Sequence, residues 1–359
     1  MDESLSGERT RHISVDLIRT VAIVGVVLLH AGNDLINGTQ AMDNMEILRW
    51  WSLTAYQTFG RLGVPLFIMV TGALLLVPSK ANEGLDVFFK KRFTRIGLPT
   101  VFWGVAYFLW DIYVENQKVT QGFIVQGILT GPYLQFWYIY MIIGLYLLTP
   151  FLRIIVAHAN QQLFKYFFVV WFAMTTIPPF IKLFTKYTID TNILTIPAFV
   201  GYFILGVYLV RVQVSRRILV AVLGTCMALT AVGTYFVARI FGGTDTWFFQ
   251  EYVSPTTIIA AISFFLLLNT VKLKSETQPA HRSLGGRILH VISENTLGIF
   301  FMHLMVLYVL HVGIGGYALN GNTVYSAIGV PLATGLTILI CLAIIVPLKK
   351  IPVIKRLIT

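Results

Sequence analysis

Three ionisable side chains fall in the first apolar run of the chain, ISVDLIRTVAIVGVVLLHAG: Asp16, Arg19 and His30. Charge is costly in hydrocarbon, and ionisable groups placed there mark function more often than packing. Arg19 and His30 are eleven residues apart. On an α-helix that step is three turns plus about 20°, with a rise of about 16 Å. The two side chains therefore share one helix face, Arg19 near a water interface and His30 deep in a hydrocarbon core of about 30 Å. Imidazole is the side chain suited to moving a proton at neutral pH. The spacing predicts a route with a cation at its mouth and a base inside. Asp16, three residues from Arg19, is within reach of an i,i+3 ion pair, which would either serve that route or simply anchor the helix end.

Other residues extend the pattern. Arg61 in FGRLGVPLFIMVTGALLL lies too far inside its span for an ordinary interfacial anchor, although long side chains snorkel. On a span running the opposite way it falls at the depth of His30, where a guanidinium can hold a developing oxyanion. Gly60, Gly63, Pro65 and Gly72 predict either close helix packing or a lined cavity. Arg92 and Arg95, in FFKKRFTRIGLPT, are three apart at a helix start, so both forks can address one polyanion. The plainer alternative is a topology signal touching lipid headgroups. His303 in ENTLGIFFMHLMVLYVLH is a second mid-membrane imidazole, either a helper to the first or a packed core residue. Trp137, Tyr138, Tyr140 and Tyr146 are expected at an outer-interface aromatic belt, with an acceptor groove as the alternative. His12, His158, His281, His290 and His311 are assigned no role.

The elements that position these groups are transmembrane helices. Hydrophobic residues make up 56% of the 359 and charged ones only 12%, against about 25% charged in a soluble domain. Apolar runs recur at about 14–34, 54–77, 95–113, 134–157, 163–181, 194–212, 217–240, 254–271, 294–312 and 325–348. The expected fold is an all-α polytopic bundle of about ten transmembrane helices, a single integral domain over 1–359. A cytoplasmic segment 1–12 precedes it, a basic tail 349–359 follows, and no cleavable signal peptide is expected. With ten spans, 21 of the 27 Lys and Arg residues fall on one side, which predicts both termini in the cytoplasm. The net charge of +11 then reflects topology and anionic lipid, not nucleic acid. Cys226 and Cys341 lie inside spans without a CxxC, so neither a disulfide framework nor a metal site is expected. Glycine-rich pieces at 242–245 and 313–316 read as outer turns, and no repeat or inverted halves of a transporter are visible.

Five motifs occur in order: D-x-x-R-x(10)-H from Asp16 to His30, R-x-G-V-P-L-F from Arg61, and R-x-x-R-I-x-x-P from Arg92. F-W-Y-x(6)-L-Y-L-x-x-P then starts at Phe136, and N-T-L-G-I-F-x-x-H ends at His303. This pattern resembles the acyltransferase-3 family of integral membrane O-acyltransferases, near the branch that modifies bacterial surface polysaccharides. The resemblance implies transfer of an acyl group, usually acetyl, from cytoplasmic acetyl-CoA or another acyl-CoA to a hydroxyl of a surface glycan or lipid-linked sugar. It implies a multi-pass protein of a bacterial-type cytoplasmic (inner) membrane, with His30 essential and with Arg19, the Arg92–Arg95 pair and Arg61 as counterparts of the family's motif arginines. Where the family reads L-W-F-L, this chain has Phe136-Trp137-Tyr138-Ile139, a departure that bears on the acceptor rather than the chemistry.

The combined expectation is that coenzyme phosphates dock on Arg92, Arg95 and Arg19 while the pantetheine arm carries the thioester toward His30. His30 acts as general base or acyl carrier, Arg61 polarises the carbonyl, and Asp16 holds Arg19. The alternatives are a flippase or exporter of a lipid-linked glycan, the multi-span acyltransferase class that pairs a late histidine (here His303 with Asn295), and a non-catalytic acyl-CoA sensor.

Overall fold

The structure is a computed structural model that describes residues 14–32, 44–80, 83–185, 187, 198–240, 248–271, 283–313, 318–319 and 324–358. Sequence readings on Arg9, Arg11, His12, Lys186, Lys272, Lys274, His281 and Arg282, and on the glycines of 242–245 and 315–316, lie outside those residues.

The described residues form helices and no strand. In chain order these are α1 (Val15–Ala31), α2 (Asn44–Gly60), α3 (Gly63–Leu75), α4 (Leu85–Arg92), α5 (Leu98–Tyr113), α6 (Gln121–Thr130), α7 (Phe136–His158) and α8 (Gln161–Thr185). They continue with α9 (Ala198–Leu209), α10 (Arg216–Ile240), α11 (Pro255–Asn269), α12 (Leu284–Glu294), α13 (Thr296–Val312), α14 (Ser326–Leu348) and α15 (Pro352–Ile358). A single π-helical turn, Phe93–Gly97, joins α4 to α5.

Large apolar side chains face outward along whole helices: Val101, Val105 and Leu109 on α5, Leu147, Phe151 and Ile154 on α7, and Val169 and Ile177 on α8. Apolar surface on this scale belongs against lipid. The molecule is a polytopic membrane protein. Among the described residues six segments have the length and apolarity to cross a bilayer, such as Ile47–Leu75 and Ser326–Leu348; α12 and α13, bent by 78°, make a seventh if taken as one span. The ten apolar runs of the sequence are not all long helices here. The first becomes the 17-residue α1, the third is shortened to α5 by the π-turn, and α9 has 12 residues.

Glycines set the closest helix approaches. A Cβ on Gly72 would strike the Phe203 carbonyl, and one on Gly206 the Met69 carbonyl, so α3 and α9 meet backbone to backbone. On the other side of α3, a Cβ on Gly63 would stand 2.6 Å from the Ala22 oxygen, and one on Gly60 2.8 Å from the Gly25 oxygen. These residues flank the break at Arg61 and Leu62 that splits the predicted second span into α2 and α3. The packing alternative for the glycines is thus the one realised. It also seats α1 against that break, with Ile18, Ala22, Ile23 and Val27 fully buried.

Candidate active site

At the Asp16 end of α1 the side chains of Arg19, Arg92, Arg95 and Lys80 converge on a cavity of about 300 Å³. Its apolar wall comes from Phe67, Leu74, Ile139 and Ile142, and Tyr138, Tyr146, Thr71 and Thr296 add hydroxyls. Arg19, Arg92 and Arg95, which the sequence reading placed on the donor, all line this one cavity. Arg95 sits in the π-turn and Arg92 immediately precedes it, and both reach the same space. The Arg92 guanidinium carbon lies 5.2 Å from the Phe88 ring centre and 5.6 Å from that of Tyr146, stacked on both. Burial, with Arg153 and Arg92 alongside, pulls the Lys80 ammonium below its ordinary value. A bound polyanion would relieve this crowding of cations.

Two expectations from the sequence differ from the structure, and two further cations have roles at the cavity. Asp16 makes no ion pair with Arg19. Its carboxylate bonds instead to His290 Nδ1 at 2.9 Å and accepts from Ser293 Oγ at 2.8 Å, pinning α1 to α12. The reason is that α12 leaves the corner at Asn295 at 78° to α13 and presents two polar partners to the acid. His290, given no role from the sequence, thereby has a structural one. Second, Tyr138 and Tyr146 are not in an outer belt. They are eight residues apart, on one face of α7, and line the arginine cavity. Only Tyr140, bonded to the Ile128 carbonyl, and Trp137, packed on Phe199 and Tyr252, stay clear of that cavity. Lys80 and Arg153, two of the 21 Lys and Arg residues assigned to one side, also have local roles at the cavity. Arg153 is 1% exposed and holds the cavity's rim, donating to the Leu75 carbonyl (2.7 Å), the Lys80 carbonyl (3.1 Å) and Glu83 (3.1 Å). Nothing but an arginine within a helix hinted at this role. Glu83 also accepts from Lys91 at 2.7 Å, and this bond, more than the one from Arg153, holds its carboxyl below the usual glutamate range.

Within the cavity lining, Phe67, Tyr138 and Phe300 form an aromatic collar, with ring centres 6.3 Å apart for Phe67 and Tyr138 and 5.1 Å for Tyr138 and Phe300. Past it stand two imidazoles. His30 and His303 lie 5.2 Å apart between ring centres, and Phe300 is 5.9 Å from His303. α13 is fixed at this level by Tyr107, whose hydroxyl donates to the Phe301 carbonyl at 2.6 Å, and by Trp103 stacked on Phe301. Arg61, at the α2–α3 break, holds its guanidinium 5.1 Å over the Tyr252 ring and lies within electrostatic range of His30. Thus His30, His303 and Arg61 form one group, and Arg19, Arg92 and Arg95 another. Asp16 belongs to neither. Among the described residues no group of three or more His, Cys, Asp or Glu is placed to hold a metal.

A membrane-spanning helical protein with a cationic cavity at one end and a pair of neighbouring imidazoles at the other is a candidate for group transfer across its own width. The profile of the acyltransferase-domain family matches residues 12–346, and the chain belongs to this acyltransferase-3 family. It is a membrane acyltransferase. No curated protein and no solved structure matches the chain.

Proposed function

We propose that this chain is an acyl-CoA-dependent O-acyltransferase, with acetyl-CoA the first donor to test and a hydroxyl of an exported or surface glycan as acceptor. In this reading ten spans cross a bacterial-type cytoplasmic membrane with both termini inside, as the 21-to-6 division of Lys and Arg favours. The observation that carries it is the gathering of Arg19, Arg92 and Arg95 on one cavity, at the foot of the helix that bears His30.

The donor's phosphates take the three arginines and Lys80 through charge-assisted hydrogen bonds. The cavity is too small for a whole coenzyme, so the nucleotide stays at the mouth and the narrow pantetheine arm enters between Leu74, Ile142 and Tyr138. Displacing the aromatic collar brings the thioester to His30. There the imidazole removes the acceptor's hydroxyl proton, or takes the acyl group itself. Arg61 faces the oxyanion that forms on the carbonyl.

The test is free-thiol release from acetyl-CoA by purified protein. Wild type releases thiol and His30→Ala does not, while acetyl-CoA binding survives in the variant. Turnover by His30→Ala would overturn the role of His30. Absence of both binding and release in wild type would overturn the enzyme reading in favour of a lipid-linked glycan flippase.

A further inference from the structure

We infer that His303 is the positioning residue of a two-imidazole dyad, accepting a hydrogen bond from His30 and so fixing which nitrogen of His30 faces the substrate. The inference rests on the acyl-transfer reading and deepens it. His303 is wholly buried, and its Nδ1 lies 2.6 Å from the Phe300 carbonyl oxygen. A carbonyl only accepts, so Nδ1 carries the proton and Nε2 is left with a lone pair. That Nε2 is buried without a partner, a costly state for a polar atom unless a donor comes to it.

The donor at hand is His30, which is half-buried and has no ring hydrogen bond among the described residues. A ring nitrogen stands about 1.1 Å from its centroid, so centroids 5.2 Å apart allow nitrogens to meet at about 3 Å once the rings turn toward one another. The titratable groups that act on His30 are His303 and Arg61, with no carboxylate among them. Asp16, the acid on the same helix, is about 21 Å away along the axis. In a serine-hydrolase triad a carboxylate orients the base. Here a neutral imidazole takes that place, and a neutral orienter avoids burying an anion in hydrocarbon.

The step balances without another reagent. With its own N–H on His303, His30 takes the acceptor's hydroxyl proton at its other nitrogen. The alkoxide oxygen attacks the thioester carbonyl carbon, the C–S bond breaks, and the thiolate leaves with the proton His30 had taken. Ester and free thiol are the products, and both imidazoles return neutral.

The experiment compares His303→Leu with His303→Gln in the full chain, using thiol release at saturating acetyl-CoA, donor titration and thermal unfolding. Leucine removes the acceptor atom, and kcat falls about 10²-fold with donor affinity unchanged. Glutamine restores an acceptor oxygen at that position and recovers at least tenfold of the loss. Wild-type kcat in His303→Leu, or equal losses in two folded variants, overturns the inference. If the leucine variant does not fold, ring ¹⁵N shifts of the wild-type histidines, assigned against His30→Ala, decide it. The Nδ1–H tautomer at His303 supports the dyad and the Nε2–H tautomer overturns it. Failure of the acyl-transfer reading looks different: wild type releases no thiol, or His30→Ala still does.

Discussion

The two ends of α1 solve opposite problems. At the Arg19 end, four cations from α1, the α3–α4 connection, α4 and the π-turn share a cavity; Arg92 leans on two aromatic rings and Lys80 on the Leu74 carbonyl. At the His30 end the helices are pressed together at Gly25, Gly60 and Gly63, and one imidazole, to which the proposal gives the chemistry, has one neighbour of its kind. Redundant charge makes binding graded. A single proton-transferring group makes turnover nearly all-or-none. A protein that must hold a polyanion on one side and react on the other can keep these tasks apart on one rigid helix.

The largest expected effect is at the histidine end. His30→Ala lowers thiol release about 10³-fold or more while acetyl-CoA affinity changes little, as turnover and calorimetry on one preparation would show. Next comes the packing that seats α1. Gly63→Val forces a side chain against the Ala22 carbonyl and costs about 1–3 kcal/mol, read as a lower thermal midpoint that donor binding does not restore. At the arginine end the effects are graded. Arg92→Ala or Arg95→Ala each removes charge-assisted contacts of about 1.5–3 kcal/mol, raising the Kd for acetyl-CoA roughly 10- to 100-fold. The kcat at saturation is kept. Added salt weakens donor binding in wild type and less so in these variants. The smallest effect concerns the rim. The Glu83 carboxyl is held below its ordinary value by Lys91 and Arg153, so its contribution is present above the unfolded glutamate range and fades as pH falls through the lower folded value. Thermal midpoints measured from pH 7 down past about 4 drop more in wild type than in Glu83→Gln.

Much of this was legible in the chain. The eleven-residue step from Arg19 to His30 is a helical fact that needs no tertiary information, and R-x-x-R carries its own chemistry. The partners were less visible. Asp16 reads as a mate for Arg19 because i,i+3 neighbours are the only ones a sequence displays, whereas His290 and Ser293 arrive from 274 and 277 residues away. Tyr146 reads as a belt residue because aromatic content cannot tell which face of α7 turns inward. Arg153 reads as a topology charge because its three acceptors depend on how the end of α3 meets Glu83. Span count suffers for a related reason: hydropathy adds residues across the break at Arg61 and the π-turn at Phe93–Gly97, where hydrogen bonding interrupts the regular helix.

The separation of binding from chemistry is the central claim, and parallel acetyl-CoA titrations of wild type, His30→Ala and Arg95→Ala test it most directly. The His30→Ala isotherm should overlay wild type, and that of Arg95→Ala should shift at least tenfold toward weaker binding. Loss of binding in His30→Ala as severe as in Arg95→Ala, or unchanged binding in Arg95→Ala, would contradict it.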